Sequence, residues 1–82
     1  MLTRKLQEGQ IVRSKAGHDR GTFYVILSWT ERDVFVADGI KHTLEQPKRK
    51  NRKHVWYSRK VSLLTDNETI KGVLSDFVGE NA

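Results

Sequence analysis

The stretch QPKRKNRKHVWY, Gln46 to Tyr57, places Lys48, Arg49, Lys50, Arg52 and Lys53 between the chain's only proline and an aromatic pair. Ammonium and guanidinium groups at this density serve one general chemistry, the binding of a polyanion such as nucleic acid, whose phosphates supply most of the affinity. The whole chain has 15 Lys and Arg against 10 Asp and Glu, a net charge of +5. The five clustered cations equal that excess, so the basic character is largely one local feature. Pro47 restricts Gln46 to an extended conformation, and mutual repulsion predicts a projecting loop that stays solvated until a polyanion neutralises it. Asn51, inside the run, has two readings: a base-edge contact or a turn residue. His54 adjoins the run as a polar contact. Of Trp56 and Tyr57, one offers a stacking face to an unpaired base, and the other enters the core, because alternate strand residues face opposite ways. Trp29 has the same two readings, the core being the stronger.

A second group of cations lies upstream, in GQIVRSKAGHDRGTFYVI. Gly17 and Gly21 would let the loop between them adopt positive φ and bring backbone N–H groups close to a phosphate. Lys15, His18 and Arg20 would point to the same place, with Arg13 on the strand before them. The competing reading of the glycines is plain turn geometry, and the two are compatible.

Catalytic chemistry finds no support. The chain has no cysteine, which excludes disulfides, thiolate nucleophiles and thiolate metal sites. No two of His18, His42 and His54 stand at metal-ligand spacing on one element. Asp19, Asp33 and Asp38 all fall in expected turns, where Asp commonly bonds its own backbone. GHDRG lacks the GxxxxGK[ST] pattern of a nucleotide phosphate loop. The expectation is no enzyme, no metal and no cofactor.

These side chains need elements to hold them. Gln10 to Ser14 reads as a short strand. Thr22 to Trp29, TFYVILSW, is the strongest strand signal, with apolar groups on both faces, as when the second face is also partly covered. TERD is a polar turn. VFVADGIKHTL reads as a hairpin with Asp38-Gly39 as its two-residue turn, and HVWYS and KVSLL are short, weaker strands. Short strands with little helix between them predict a small barrel or sandwich. Ile70, Val73, Leu74 and Phe77 then fall at i, i+3, i+4 and i+7, one face of a helix, with Thr65 and Glu68 as a capping box and Gly79 as the stop. Such a helix holds only by packing its stripe on the strands or on a partner; the strands are the stronger reading.

At 82 residues the chain has the size of one small domain. The opening MLTRKLQEGQ lacks the apolar run of a secretory signal, and the longest uninterrupted apolar run, Phe23 to Leu27, is too short to span a membrane. A cytoplasmic domain that folds on packing alone is expected. Residues 1–60 carry 14 cations and 6 anions, whereas 61–82 carry 1 and 4. The body is therefore basic and the tail a poor surface for phosphate.

The segment from Gly9 to Ile26 resembles a KOW motif: Gly9 with Val12 three on, then Gly17-x-x-x-Gly21 with a cation before the second glycine, then the apolar strand. The likeness continues through VADGIKHTLEQPKRKNRKHV, which is similar to short bacterial stand-alone KOW proteins and to KOW-containing large-subunit ribosomal proteins, and it covers about residues 8–55. It implies a mainly β fold, a small SH3-like β-barrel over about 8–64; with the short C-terminal α-helix that the apolar period places over about 66–78, the whole reads as a single domain spanning 1–82. It also implies RNA binding without catalysis. Ribosomal RNA in a translation or ribosome-associated role is the expected partner, with ribosomal proteins as further neighbours, no membrane, and a monomeric chain. The expected RNA contacts are Arg13, Lys15, His18, Arg20, Lys48, Arg49, Lys50, Asn51, Arg52, Lys53, His54 and Trp56. The alternative is an SH3-like interaction module that docks an acidic protein or the transcription machinery.

Overall fold

The computed structural model describes residues 6–80; residues 1–5, where the reading of a missing leader begins, and 81–82 lie outside it. Five strands form one antiparallel sheet, β1 (Gln10–Ser14), β2 (Phe23–Trp29), β3 (Asp33–Ala37), β4 (Lys48–Asn51) and β5 (Val55–Val61), in the order β4-β3-β2-β1-β5. Among the described residues one α-helix, α1 (Asn67–Glu80), follows.

The edge strands β4 and β5 are joined only by a 3-10 turn, Arg52–His54. Asn51 and Val55 are thus at most about 14 Å apart even if the link were fully extended. In a flat sheet the outer strands would be separated by four strand spacings, about 19 Å. The sheet must therefore curl at this end.

Curling gives the sheet an inner and an outer face, and both are apolar. Val12, Tyr24, Ile26, Val34, Val36 and Val55 form a buried cluster on the inner face. On the outer face Ile11, Val25 and Ala37 stand in one cross-strand row, since Ile11 pairs with Val25 and Val25 with Ala37. Helix α1 lays Ile70, Leu74 and Phe77 over that row, with Val73 at its margin. This is why β2 carries apolar groups on both sides. The helical stripe packs on the sheet, as its spacing predicted.

Three expectations about local structure are corrected. Asp38-Gly39 is not a hairpin turn: the chain leaves the sheet after Ala37, and residues 38–47 contain no strand. A type I′ turn needs positive φ at both central residues; Gly39 has φ 81°, yet Asp38 does not share it, since no non-glycine residue among the described ones has positive φ. Asp38 instead accepts hydrogen bonds from the backbone N–H groups of Ile40 (2.9 Å) and His42 (3.0 Å) through Oδ1. Gly39 packs so closely on Asn67 that a Cβ would strike the Asn67 carbonyl oxygen. The turn residues serve to seat the start of α1.

The basic run is the second correction. Lys48–Asn51 is not a projecting loop but strand β4, paired with β3 in the register Val34↔Lys50 and Val36↔Lys48. Lysine-rich sequence has little strand preference of its own, but an edge strand tolerates it.

Third, α1 is capped by Asp66 rather than by Thr65: Asp66 Oδ1 accepts from the Thr69 N–H at 2.7 Å. Gly79 lies inside the helix instead of ending it. HVWYS and KVSLL, read as two weak strands, contribute to the single strand β5.

Candidate nucleic-acid interface

Residues two apart on a strand share a face, so Arg13 lies on the same outer face as Ile11. Ile11 is covered by α1; Arg13 is exposed beyond the helix. Arg13 pairs with Phe23 of β2 and with Trp56 of β5, which puts all three in one cross-strand row. The Arg13 guanidinium sits over the Phe23 ring, 5.7 Å from its centroid. Phe77 of α1 meets Phe23 edge-on, with centroids 5.3 Å apart. Trp56, on the edge strand, is 47% exposed.

The β1–β2 connection supplies the rest of the site. Gly17 (φ 88°) and Gly21 (φ 92°) both adopt the left-handed conformation expected of them. The Gly21 N–H donates to the Ser14 carbonyl at 2.9 Å, so this group closes the loop and serves the turn geometry that was the other reading of the glycines. The Lys15 N–H donates to the His54 carbonyl at 2.8 Å, fixing the loop beside the 3-10 turn. Together the loop, the strand row and the helix enclose an open groove of about 540 Å³, with Arg13, Lys15 and Arg20 as its charges and Phe23, Trp56 and Phe77 as its aromatic walls.

Asp19, expected to cap its own turn, has a different role. Its carboxylate accepts from Tyr24 OH (2.6 Å), Ser14 Oγ (2.9 Å) and Lys50 Nζ (3.0 Å), with Lys48 Nζ at 3.6 Å. Burial works to raise its pKa, but the hydrogen bonds from Tyr24, Lys50 and Ser14 and the Lys50 charge overcome this and hold the carboxyl well below the usual carboxylate range. Burial and the bond to Asp19 push the Tyr24 hydroxyl well above its ordinary value. This carboxylate is thus turned inward and neutralised. Among the described residues no ion pair reaches Arg13, Lys15 or Arg20.

The expected contacts therefore separate. Arg13, Lys15, Arg20 and Trp56 line one groove, while His18 is exposed on the loop outside its lining. Lys50 is buried on Asp19 and the Ala16 carbonyl, and Lys48 is partly drawn to the same carboxylate, so the contact expected of Lys50 is replaced by a structural one. Asn51 takes its turn reading, its Oδ1 accepting from the Lys53 N–H at 2.9 Å. Arg52 donates to the Thr30 carbonyl at 3.0 Å. Arg49, Lys53 and His54 remain exposed, Arg49 on β4 and the other two on the turn beside Lys15. Trp29 is 40% exposed rather than in the core. Tyr57 packs against the inner cluster, leaving Trp56 as the outward member of the pair.

Phe23 and Phe77 were not among the expected site residues. Phe23 enters the site through its register opposite Arg13, which no local signal gave; Phe77 lies in the acidic tail, where charge alone argued against a role. Comparison with models of known protein families, and with curated protein sequences, found no match.

Proposed function

We propose that this chain is a non-catalytic RNA-binding module that grips RNA through the groove between its glycine loop, β1, β5 and α1. The observation that carries the reading is the gathering of Arg13, Lys15 and Arg20, without carboxylate partners among the described residues, around the half-exposed Trp56. Cations beside an aromatic face form the combination that binds a phosphate backbone and an unstacked base together. Arg49, Lys53 and His54 extend the positive surface. An SH3-like barrel of the KOW type is the finer fold proposal, supported by the strand order and by the three-residue link that draws β4 and β5 together. On that resemblance the RNA is ribosomal and the role ribosome-associated, in the cytoplasm.

The test is a titration of the full chain with ribosomal RNA fragments and with DNA of the same sequence, over a salt series, beside crosslinking in cells with identification of attached RNA and protein. RNA in the crosslinks and a steep salt dependence are expected. Crosslinks to protein alone would favour an interaction module instead.

A further inference from the structure

We infer that the groove takes one unpaired nucleotide of a single-stranded RNA segment, its base stacked on the Trp56 indole and its phosphates held by Lys15 and Arg20. This rests on the RNA-binding reading and specifies the form of RNA the site accepts.

Three observations support it. First, the platform is held before any ligand arrives. Trp56 stands in a regular strand beside Arg13, Arg13 rests on Phe23, and Phe23 is braced by Phe77. Among the described residues no further strand lies beyond β5, and the indole is 47% exposed. Second, the space matches. A groove of about 540 Å³ is within the range of sites for single small ligands, about 300–1,000 Å³. In a duplex the base faces are already stacked on one another, so a duplex offers this site only phosphates. Third, the charge is directed outward. Asp19 lies between Lys15 and Arg20 in sequence, yet its carboxylate is bound by Lys50, Ser14 and Tyr24. The single Ser14 hydroxyl proton is shared between Asp19 Oδ1 and the Ala16 carbonyl. Arg13, the other potential base-edge donor, is held over the Phe23 ring, so stacking and phosphate charge dominate, and neither carries a base code. Different homopolymers should therefore be accepted.

The experiment uses the full chain with Trp29→Phe, which leaves Trp56 as the sole tryptophan of two. Oligouridine, oligoadenosine and the duplex annealed from them are titrated at fixed salt, with tryptophan emission and RNA anisotropy both followed. Both single strands should quench Trp56, and the duplex should not. Trp56→Ala in that background should weaken single-strand binding by roughly 5- to 150-fold, as loss of one base–aromatic stack does, with an unchanged salt slope. Trp56→Phe, which keeps a ring, should retain most of the affinity, and thermal melts establish that both variants are folded. Single-strand binding without quenching, equal quenching by the duplex, or full affinity in Trp56→Ala would overturn the stacking inference and leave RNA binding standing. Absence of binding by these three RNAs and by the ribosomal fragments would overturn both.

Discussion

Lys50 Nζ lies 3.0 Å from Asp19 Oδ1, joining edge strand β4 to the glycine loop across the inner face of the sheet. The pair shares its carboxylate with Ser14 and Tyr24, so it ties together three separate parts of the chain. Removing one partner of a buried pair leaves the other uncompensated. Asp19→Asn should cost about 3 kcal/mol in urea unfolding, and Lys50→Ser should also destabilise. Unchanged midpoints for both would show that the network contributes nothing to folding.

The same carboxylate gives a pH dependence with a definite sign. Its folded-state pKa lies below its ordinary value of 3.8, so its stabilisation is present above that value and is lost as pH falls through the folded pKa. Tyr24 acts at the other end. Its folded pKa is raised above 10.0, so its contribution is complete below that pH and fades as pH rises towards the folded value. Wild type should lose stability on acidification below about pH 4 more steeply than Asp19→Asn. Parallel acid-unfolding curves would contradict this.

The exposed cations should behave unlike Lys50. Arg49→Ser and Lys53→Ser lie on the surface, without an ion pair among the described residues, and should change stability by no more than about 0.5 kcal/mol. If three to five cations of the whole surface meet phosphates, log K against log salt should slope at about −2 to −4 in wild type. Each contact removed should make it shallower by just under one. A flat salt response in wild type would remove the electrostatic mechanism.

Gly21→Val should impair folding and binding together. Its φ of 92° is one that a β-branched side chain rarely adopts, although a Cβ there meets nothing closer than Arg13 at 3.8 Å. The cost is therefore conformational and not steric. Arg20→Ser should weaken RNA binding with no change in melting temperature. Identical melts for wild type and Gly21→Val would be incompatible with the observed turn.

Phe77→Ala removes a buried ring from the outer cluster and from the edge-on contact with Phe23. A loss of about 3 kcal/mol or more is expected, a large share of the stability of so small a domain. Since Phe77 also walls the groove, RNA affinity should stay reduced even where stabilising solutes restore the fold. A wild-type melt would exclude the packing described for α1.

The strands Gln10–Ser14 and Phe23–Trp29 were legible in the sequence because β-branched and aromatic residues gather there between glycines, and the apolar stripe of α1 because the 3.6-residue period is a local signal. So were the left-handed glycines 17 and 21, since few other residues can take that conformation. The residues of the site were half legible. Arg13, Lys15, Arg20 and Trp56 were identifiable by type, but their meeting depends on the Arg13↔Trp56 and Arg13↔Phe23 register, which joins residues far apart in the chain. The basic run shows the limit most clearly. By local preference Lys48–Asn51 is a solvated loop. Pairing with β3 and the carboxylate of Asp19, 31 residues from Lys50, made it a strand and drew two of its lysines inward. Charge could be counted along the chain; which charges face solvent was decided by the tertiary structure, because an ion pair depends on distance in space and not on separation in sequence.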